Sequence, residues 1–337
     1  MKKSLLALAV LGAFAGAASA QSSVTIYGLL DMAVSKGNGG TAANVGANGL
    51  SEAWQVRQSA ASRLGFRGNE DLGGGLSAQF QIEHRFTPDT GVASNPFWFG
   101  RSYVQLSSAS FGRIYMGREY TPAFWIQSKS DPFGNDGVGQ FGTAFSFAGL
   151  LFGTNLGGTL AEPGSRTSNT VGYKTPGNLG GFSGEFAVAA GENVIPRVTS
   201  GNIEYAAGPL YAGFSYSQLD GMDASLGDGN TLWNAAVHWD FGFIKPRLYY
   251  AEAEILGGTV KNQVMQIMAS APIGGGTFKV GYGKLESDLP NSDLEKFGIG
   301  FDYPLSKRTG VYADFGMGTQ DNRSDNKAWA AGVKHTF

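Results

Sequence analysis

No cysteine occurs anywhere in the 337 residues. Disulfide frameworks and thiol chemistry are excluded, and the chain makes no use of an oxidising compartment. Beyond the N-terminus no apolar run approaches the roughly eighteen residues that a helical membrane span needs. Charge bias is also missing. The formal net charge is −2, and without Lys2 and Lys3 it is −4, from 23 basic against 27 acidic residues. That is too small a bias for the size of the chain to imply a nucleic-acid partner. Histidine is scarce: His84, His238 and His335 are scattered with no metal-ligand spacing, and there is no G-x-S-x-G nucleophile elbow. The run GVGQFG at 137–142 matches a dinucleotide fingerprint in letters alone, because it follows no strand and opens no helix. No cofactor is expected.

Glycine is what abounds, at 52 residues, about twice its usual share of roughly 7% and without the G-X-Y period of collagen. The hydrophobic fraction of 42% and mean hydropathy of −0.11 would pass for a soluble protein. They equally suit a membrane β-barrel, in which only every second residue faces lipid. The chain opens MKKSLLALAVLGAFAGAASA, with a basic Lys2-Lys3 region, an apolar stretch from Leu5 to Phe14, and Ala18-Ser19-Ala20. This reads as a secretory signal peptide, residues 1–20, cleaved after Ala20. Residues 21–337 are then expected to form one domain.

From Val24 the pattern has period two: Val24, Ile26, Leu30 and Met32 share one face, and Thr25, Tyr27 and Asp31 the other. A hairpin follows, turning at 71–75. Later strands are read near 101–107, 113–119, 166–174, 182–190, 200–206, 209–218, 231–240, 244–254, 260–271, 276–286, 295–303, 309–319 and 327–337, which brings the total to sixteen. Their connections alternate between short turns, such as 206–209 and 272–276, and longer polar loops, such as 37–61 and 219–230. Short turns at one rim and long loops at the other belong to a membrane barrel.

One strand face is apolar (Phe186, Val237, Val280, Phe297, Phe315), while the other carries Glu185, Glu204, His238, Lys245, Arg247, Lys279, Lys296 and Asp314. In a dry sandwich core each such charge would cost roughly several kcal/mol unless paired. If that face lines water and the apolar face meets lipid, both are satisfied. Hydrocarbon forbids an open sheet edge, so the sheet must close, and sixteen strands enclose a water-filled lumen. Trp239 with Phe241, Tyr249 with Tyr250, and Phe301 with Tyr303 suit interfacial aromatic girdles. The expected fold is all-β, a 16-stranded antiparallel transmembrane β-barrel.

Residues 119–166 follow neither period for long. A connection of that length is usually functional or disordered. Phe124, Trp125, Phe133, Phe141, Phe145, Phe147 and Phe152 argue against disorder. A loop can bury such rings only against a wall, so this one is expected to fold into the barrel and narrow it. Strand parity aims Arg63, Arg67, Arg85, Arg101 and Arg166 at the lumen. Strict alternation from Ile114 and Met116 aims Arg118 at lipid, and a bulge near Gly117 would be needed to turn it inward.

The chain resembles the trimeric sixteen-stranded general porins of Gram-negative outer membranes, particularly their beta-proteobacterial branch. The resemblance covers all of 21–337 and is carried by SVTIYGLLD, SRLGFRGNEDLGGGLSAQFQIE, GRIYMGREYTP, SRTSNTVGY and the terminal AGVKHTF. It implies a water-filled channel for passive diffusion of ions and small hydrophilic solutes, working as a homotrimer in outer-membrane lipid. It also implies that the third outer loop folds inward and sets acidic residues against wall arginines. Carried over residue by residue, the constriction would comprise Arg63, Arg101, Arg118 and Arg166 on the wall and Asp131 and Asp136 on the loop. The terminal Phe337 would be the signal that the barrel-assembly machinery reads. The loop departs from the enteric branch in lacking its P-E-F-G-G form.

Other classes fare worse. A barrel hydrolase would need a serine and a histidine meeting on one barrel face, and the sequence places no such pair. An adhesin or structural barrel explains neither the aromatic loop nor the inward arginines. Within the channel class the alternative is a solute-specific channel with a binding site at the constriction. Tyr27, Tyr103 and Tyr115 are too few lumenal rings to decide for a sugar path.

Overall fold

The structure, a computed structural model, describes residues 22–337 except 45, 48–49, 149–164, 193–195 and 222–227. The expected signal peptide and Phe152 lie outside the described residues. The wall begins with β1 (Ser23–Gly37), β3 (Arg63–Gly73), β4 (Leu76–Thr87), β6 (Ser102–Ser108) and β7 (Gly112–Tyr120), with short pieces β2 (Gln55–Arg57) and β5 (Val92–Ala93) at one rim. Two helices follow, α1 (Pro122–Ser130) and α2 (Gly142–Ser146). The wall resumes with β8 (Arg166–Lys174), β9 (Phe182–Ala189), β10 (Arg197–Ala207), β11 (Leu210–Asp220), β12 (Thr231–Trp239) and β13 (Lys245–Ile255). It ends with β14 (Val260–Ile273), β15 (Gly276–Ser287), β16 (Leu294–Pro304), β17 (Thr309–Gln320) and β18 (Asn326–Thr336).

Each wall strand pairs antiparallel with its neighbours, and β1 closes the circle. Its residues 23–29 pair with β3 and its residues 29–37 with β18, so the offset between the two ladders gives the sheet its stagger. The result is the expected sixteen-stranded barrel. Alternation along the strands sorts the residues as hydrocarbon outside and water inside require. Phe182, Phe186, Val237, Trp239 and Ile267 are exposed on the outer face, whereas Glu185, Glu204, His238, Lys279, Lys296 and Asp314 are buried inside. Tyr249 is an exception to the expected girdle. It points inward, and its hydroxyl donates to Ser146 O at 2.9 Å, beneath α2.

The apolar core lies between the inner wall and the 121–148 loop, not between two sheets. Thr121 caps α1 by accepting from the Phe124 N–H at 3.3 Å, and Pro122 opens its first turn. The helix lies along β10–β13. Ile126, Phe133, Phe141, Phe145 and Phe147 are buried with Leu219, Leu232, Tyr249 and Met268. Each buried phenylalanine contributes about 1.5–3 kcal/mol, enough together to hold the loop against the wall. The wall is bare where the loop backbone lies on it. A side chain at Gly298 would overlap the Gly139 carbonyl, and one at Gly316 the Val138 carbonyl. Part of the glycine excess is explained by this close approach.

A second loop also turns inward, which the polar, ring-poor stretch after Gly37 gave no reason to expect. Asn44 is fully buried and donates from Nδ2 to Asn326 O at 2.8 Å. Lys296 Nζ donates to Asn44 Oδ1 and to Val138 O, the latter at 3.3 Å, so one lysine ties both loops to β16.

Candidate pore constriction

The 121–148 loop covers one half of the inner wall. After α1, Phe133 reaches Gly300 on β16, residues 138–139 cross Gly316 and Gly298, and Asp136 meets Lys334 on β18. Toward β3 to β8 the described loop residues reach the wall at points such as Trp125, whose ring centre lies 4.8 Å from Lys174 Nζ. Between the loop and that part of the wall lies a cavity of about 300 Å³. Arg63, Arg85 and Arg166 line it from the wall, and Phe124, Ser128, Asn135, Asp136 and Gln140 from the loop.

Arg63 and Arg85 stand directly opposite each other on β3 and β4. Like charges so placed repel, and the partners of Arg85 offset this. Its Nη2 lies 2.7 Å from Glu83 Oε1, its Nη1 donates to Ala61 O at 3.0 Å, and its Nη2 donates to the Tyr120 hydroxyl at 3.3 Å. The Arg63 side chain makes no hydrogen bond or ion pair among the described residues. Arg166 lies over the Tyr120 ring, 4.1 Å from its centre, and donates to the Tyr120 and Ser165 hydroxyls. It has no carboxylate partner among the described residues.

Asp136 faces Lys334 Nζ at 3.5 Å and keeps 30% of its side chain open to the lumen. Its place deep in the barrel disfavours the ionised form and raises its pKa to about 6, against the opposing pull of Lys334 and Arg63. Arg63, Arg166 and Asp136 are thus the expected residues that share one cavity.

Asp131, Arg101 and Arg118 sit elsewhere. Asp131 is buried, and its carboxylate accepts from the Phe133, Phe141 and Gly142 N–H groups at 2.9, 3.0 and 3.4 Å. Burial raises its pKa, and the three donors oppose that rise. The group joins the end of α1 to the start of α2 and does not face the arginines. Arg101 is lumenal, as parity requires, but Glu119 holds it in a two-pronged ion pair and Gln81 accepts from it at 2.9 Å. Arg118 is not turned inward, which corrects its carried-over place in the constriction. The register does shift between Gly117 and Glu119, yet the extra residue belongs to β8, where 168 and 169 lie opposite Arg118. Arg118 itself stays opposite Ser102, on the outer-face alternation of Ile114 and Met116. Its Nε donates to Phe99 O at 3.0 Å and its Nη1 to Ser168 Oγ at 2.9 Å.

Sequence reasoning gave no constriction role to Arg85, Glu83, Tyr120 or Lys334. Parity did aim Arg85 inward, and Glu83 two residues earlier shares its face. At the chain's end, Phe337 exchanges backbone hydrogen bonds with Gly28 at 3.1 and 3.2 Å, and its ring covers the bare Gly28 backbone. A serine and a histidine do meet, His238 Nε2 with Ser130 Oγ at 3.1 Å. Ser130 donates its proton to Ile126 O at 2.8 Å, so the ring nitrogen acts as donor and the pair is not a nucleophile with its base.

A closed barrel with a charged interior, narrowed by an inward loop, defines a diffusion channel of the outer membrane. The chain belongs to the Gram-negative porins, whose family model matches residues 7–323. It is 33% identical to outer membrane porin protein 32 of Delftia acidovorans, over 99% of this chain and 94% of that one. It is 30% identical to an outer membrane porin protein of Bordetella pertussis, over the full length of both. Among solved structures it is similar to an anion-selective porin from Comamonas acidovorans, with a TM-score of 0.76 and 26% identity, covering 94% of this chain and all of that one. At the level of fold alone it is similar to the trimer form of OmpT from Vibrio cholerae, with a TM-score of 0.66 and 13% identity over 94% of this chain and 99% of that one. The protein is an outer-membrane porin, a general channel for ions and small hydrophilic solutes.

Proposed function

We propose that the passage favours small anions, with Arg63 and Arg166 as its selecting charges. The observation that carries this reading is one cavity lined by three guanidiniums, of which only that of Arg85 is paired with a wall carboxylate, and by a single loop carboxylate, Asp136, itself beside Lys334. Fixed charges in wide aqueous parts of the lumen are screened within about 8 Å at physiological salt. In a narrow passage a solute feels both walls, and low-dielectric surroundings focus the field. The nearest charges therefore outweigh the overall acidity of the chain. Likeness to a porin described as anion-selective supports the same direction. Planar-bilayer reversal potentials in a KCl gradient test it. The wild type should show the anion sign, and Arg63→Gln with Arg166→Gln should move the potential toward cations. A wild type of cation sign would sink the reading.

Three further features belong to the same reading: cleavage after Ala20, a homotrimer, and Phe337 as the element recognised by the barrel-assembly machinery. The trimer draws support from the trimer form known for a protein of this fold. An outer wall with exposed Val24, Ile26, Val104 and Leu106 can also pack against a copy of itself. A heat-sensitive, slower-migrating species on gels in mild detergent is expected, and a monomer under those conditions counts against it.

A further inference from the structure

Anion selection accounts for the guanidiniums of the passage but not for the aromatic surface set among them. Phe124 lines the same cavity as Arg63, Arg85 and Arg166. Its ring is stacked on Tyr120, with centres 4.0 Å apart and planes 9° from parallel, and Arg166 lies over that same Tyr120 ring. Arg166, Tyr120 and Phe124 therefore form one column at the junction of wall and loop. Its position is fixed from both sides. The Thr121 cap starts α1 and sets Phe124 in the first turn, while the Tyr120 hydroxyl accepts from Arg85 and Arg166. The loop lines the cavity with Gly134, Gly142 and Ala144 as well as with polar residues, Asp136 among them. The space thus offers one aromatic ring together with guanidiniums. At about 300 Å³ it is at the small end of ligand pockets and holds one ring with its carboxylate.

We propose that the passage retains small aromatic carboxylates in preference to aliphatic carboxylates of the same charge. The carboxylate pairs with the guanidinium of Arg63, whose fork admits two parallel N–H···O bonds, and the ring rests on Phe124. The Arg63 side chain makes no hydrogen bond or ion pair among the described residues, so it can make these bonds without breaking others. An aromatic contact adds about two- to tenfold in affinity beyond the area it buries. That is weak enough for a channel, where a solute must leave as readily as it enters. This inference rests on the anion reading of the same cavity and narrows it to a solute class.

The test measures block of the chloride current by benzoate and by cyclohexanecarboxylate, which share charge and approximate size and differ in aromaticity. In the wild type, half-block by benzoate is expected at a concentration about threefold or more below that for cyclohexanecarboxylate. Phe124→Leu keeps apolar bulk and removes the ring face, so the ratio should fall to near one. The wild-type comparison needs no variant and stands even if Phe124→Leu fails to assemble. Equal block by the two acids in a wild-type channel of anion sign in KCl overturns this inference and leaves the anion reading intact. A channel of cation sign in KCl overturns both. A benzoate preference that survives in Phe124→Leu removes Phe124 as the platform and overturns the assignment.

Discussion

Asp136 gives the passage a handle on pH. Its carboxyl titrates at about 6, so it is ionised at neutral pH and loses its charge as pH falls through that value. The passage then keeps its arginines and loses its loop anion, and the reversal potential should move further toward anions between about pH 7.5 and about pH 5. Asp136→Asn should sit at the acid value throughout and show no shift in that window. An equal shift in the variant would assign the titration to another group. Asp131→Asn should leave ion preference almost unchanged, because the Asp131 carboxylate answers loop N–H groups and not the solute. Replacing Arg101 and Glu119 together by glutamine should likewise change selectivity little, since the pair is internally neutral. These residues also show what a sequence can carry. Arg63, Arg85 and Arg166 were legible because period-two alternation sets which way a side chain points. The same alternation aimed Arg118 outward, where it is, and only the family resemblance set it in the constriction. The place of Asp131 depended on hydrogen bonds within the loop, and although Asp131-Pro132 signals a turn, nothing in the sequence points its carboxylate at the Phe141 and Gly142 N–H groups.

The loops are elements whose fit depends on what the wall omits. The aromatic residues of 121–148 announced an inward fold, since their burial requires a surface, and Gly298 and Gly316 supply the clearance. The other inward loop, around Asn44, was not legible. It is held by polar contacts to Asn326 and Lys296 rather than by rings, and Gly/Asn-rich sequences read as solvent-exposed connections. The clearance argument can be tested directly. Gly298→Val places a good strand former in β16 but overlaps the Gly139 carbonyl, at an overpacking cost of about 1–3 kcal/mol. The expected outcome is an intact barrel whose loop is pushed toward the arginines, seen as lower single-channel conductance. Unchanged conductance with normal assembly would mean that the loop does not lie where its backbone bonds put it.

On the scale of the whole barrel the seam between β1 and β18 decides whether the sheet closes, and Phe337 sits at its end. The ladder from 29 to 37 on β1 carries most of the closure, and Phe337 extends it by its reciprocal backbone bonds to Gly28. Phe337→Ala keeps those bonds and removes only the ring. The ring is 44% exposed, so its loss forfeits about half of the roughly 1.5–3 kcal/mol that full burial would contribute. A barrel closed by a continuous ladder and filled by a packed loop should tolerate that loss once folded. If Phe337 is instead the feature that the assembly machinery reads, the effect will fall on delivery. The expected outcome is severalfold less protein in the outer membrane, while variant refolded from purified chain keeps nearly the wild-type unfolding midpoint in denaturant. Comparable losses in membrane amount and in refolded stability would make the ring a packing element of the seam, and normal membrane amount would remove it as a signal.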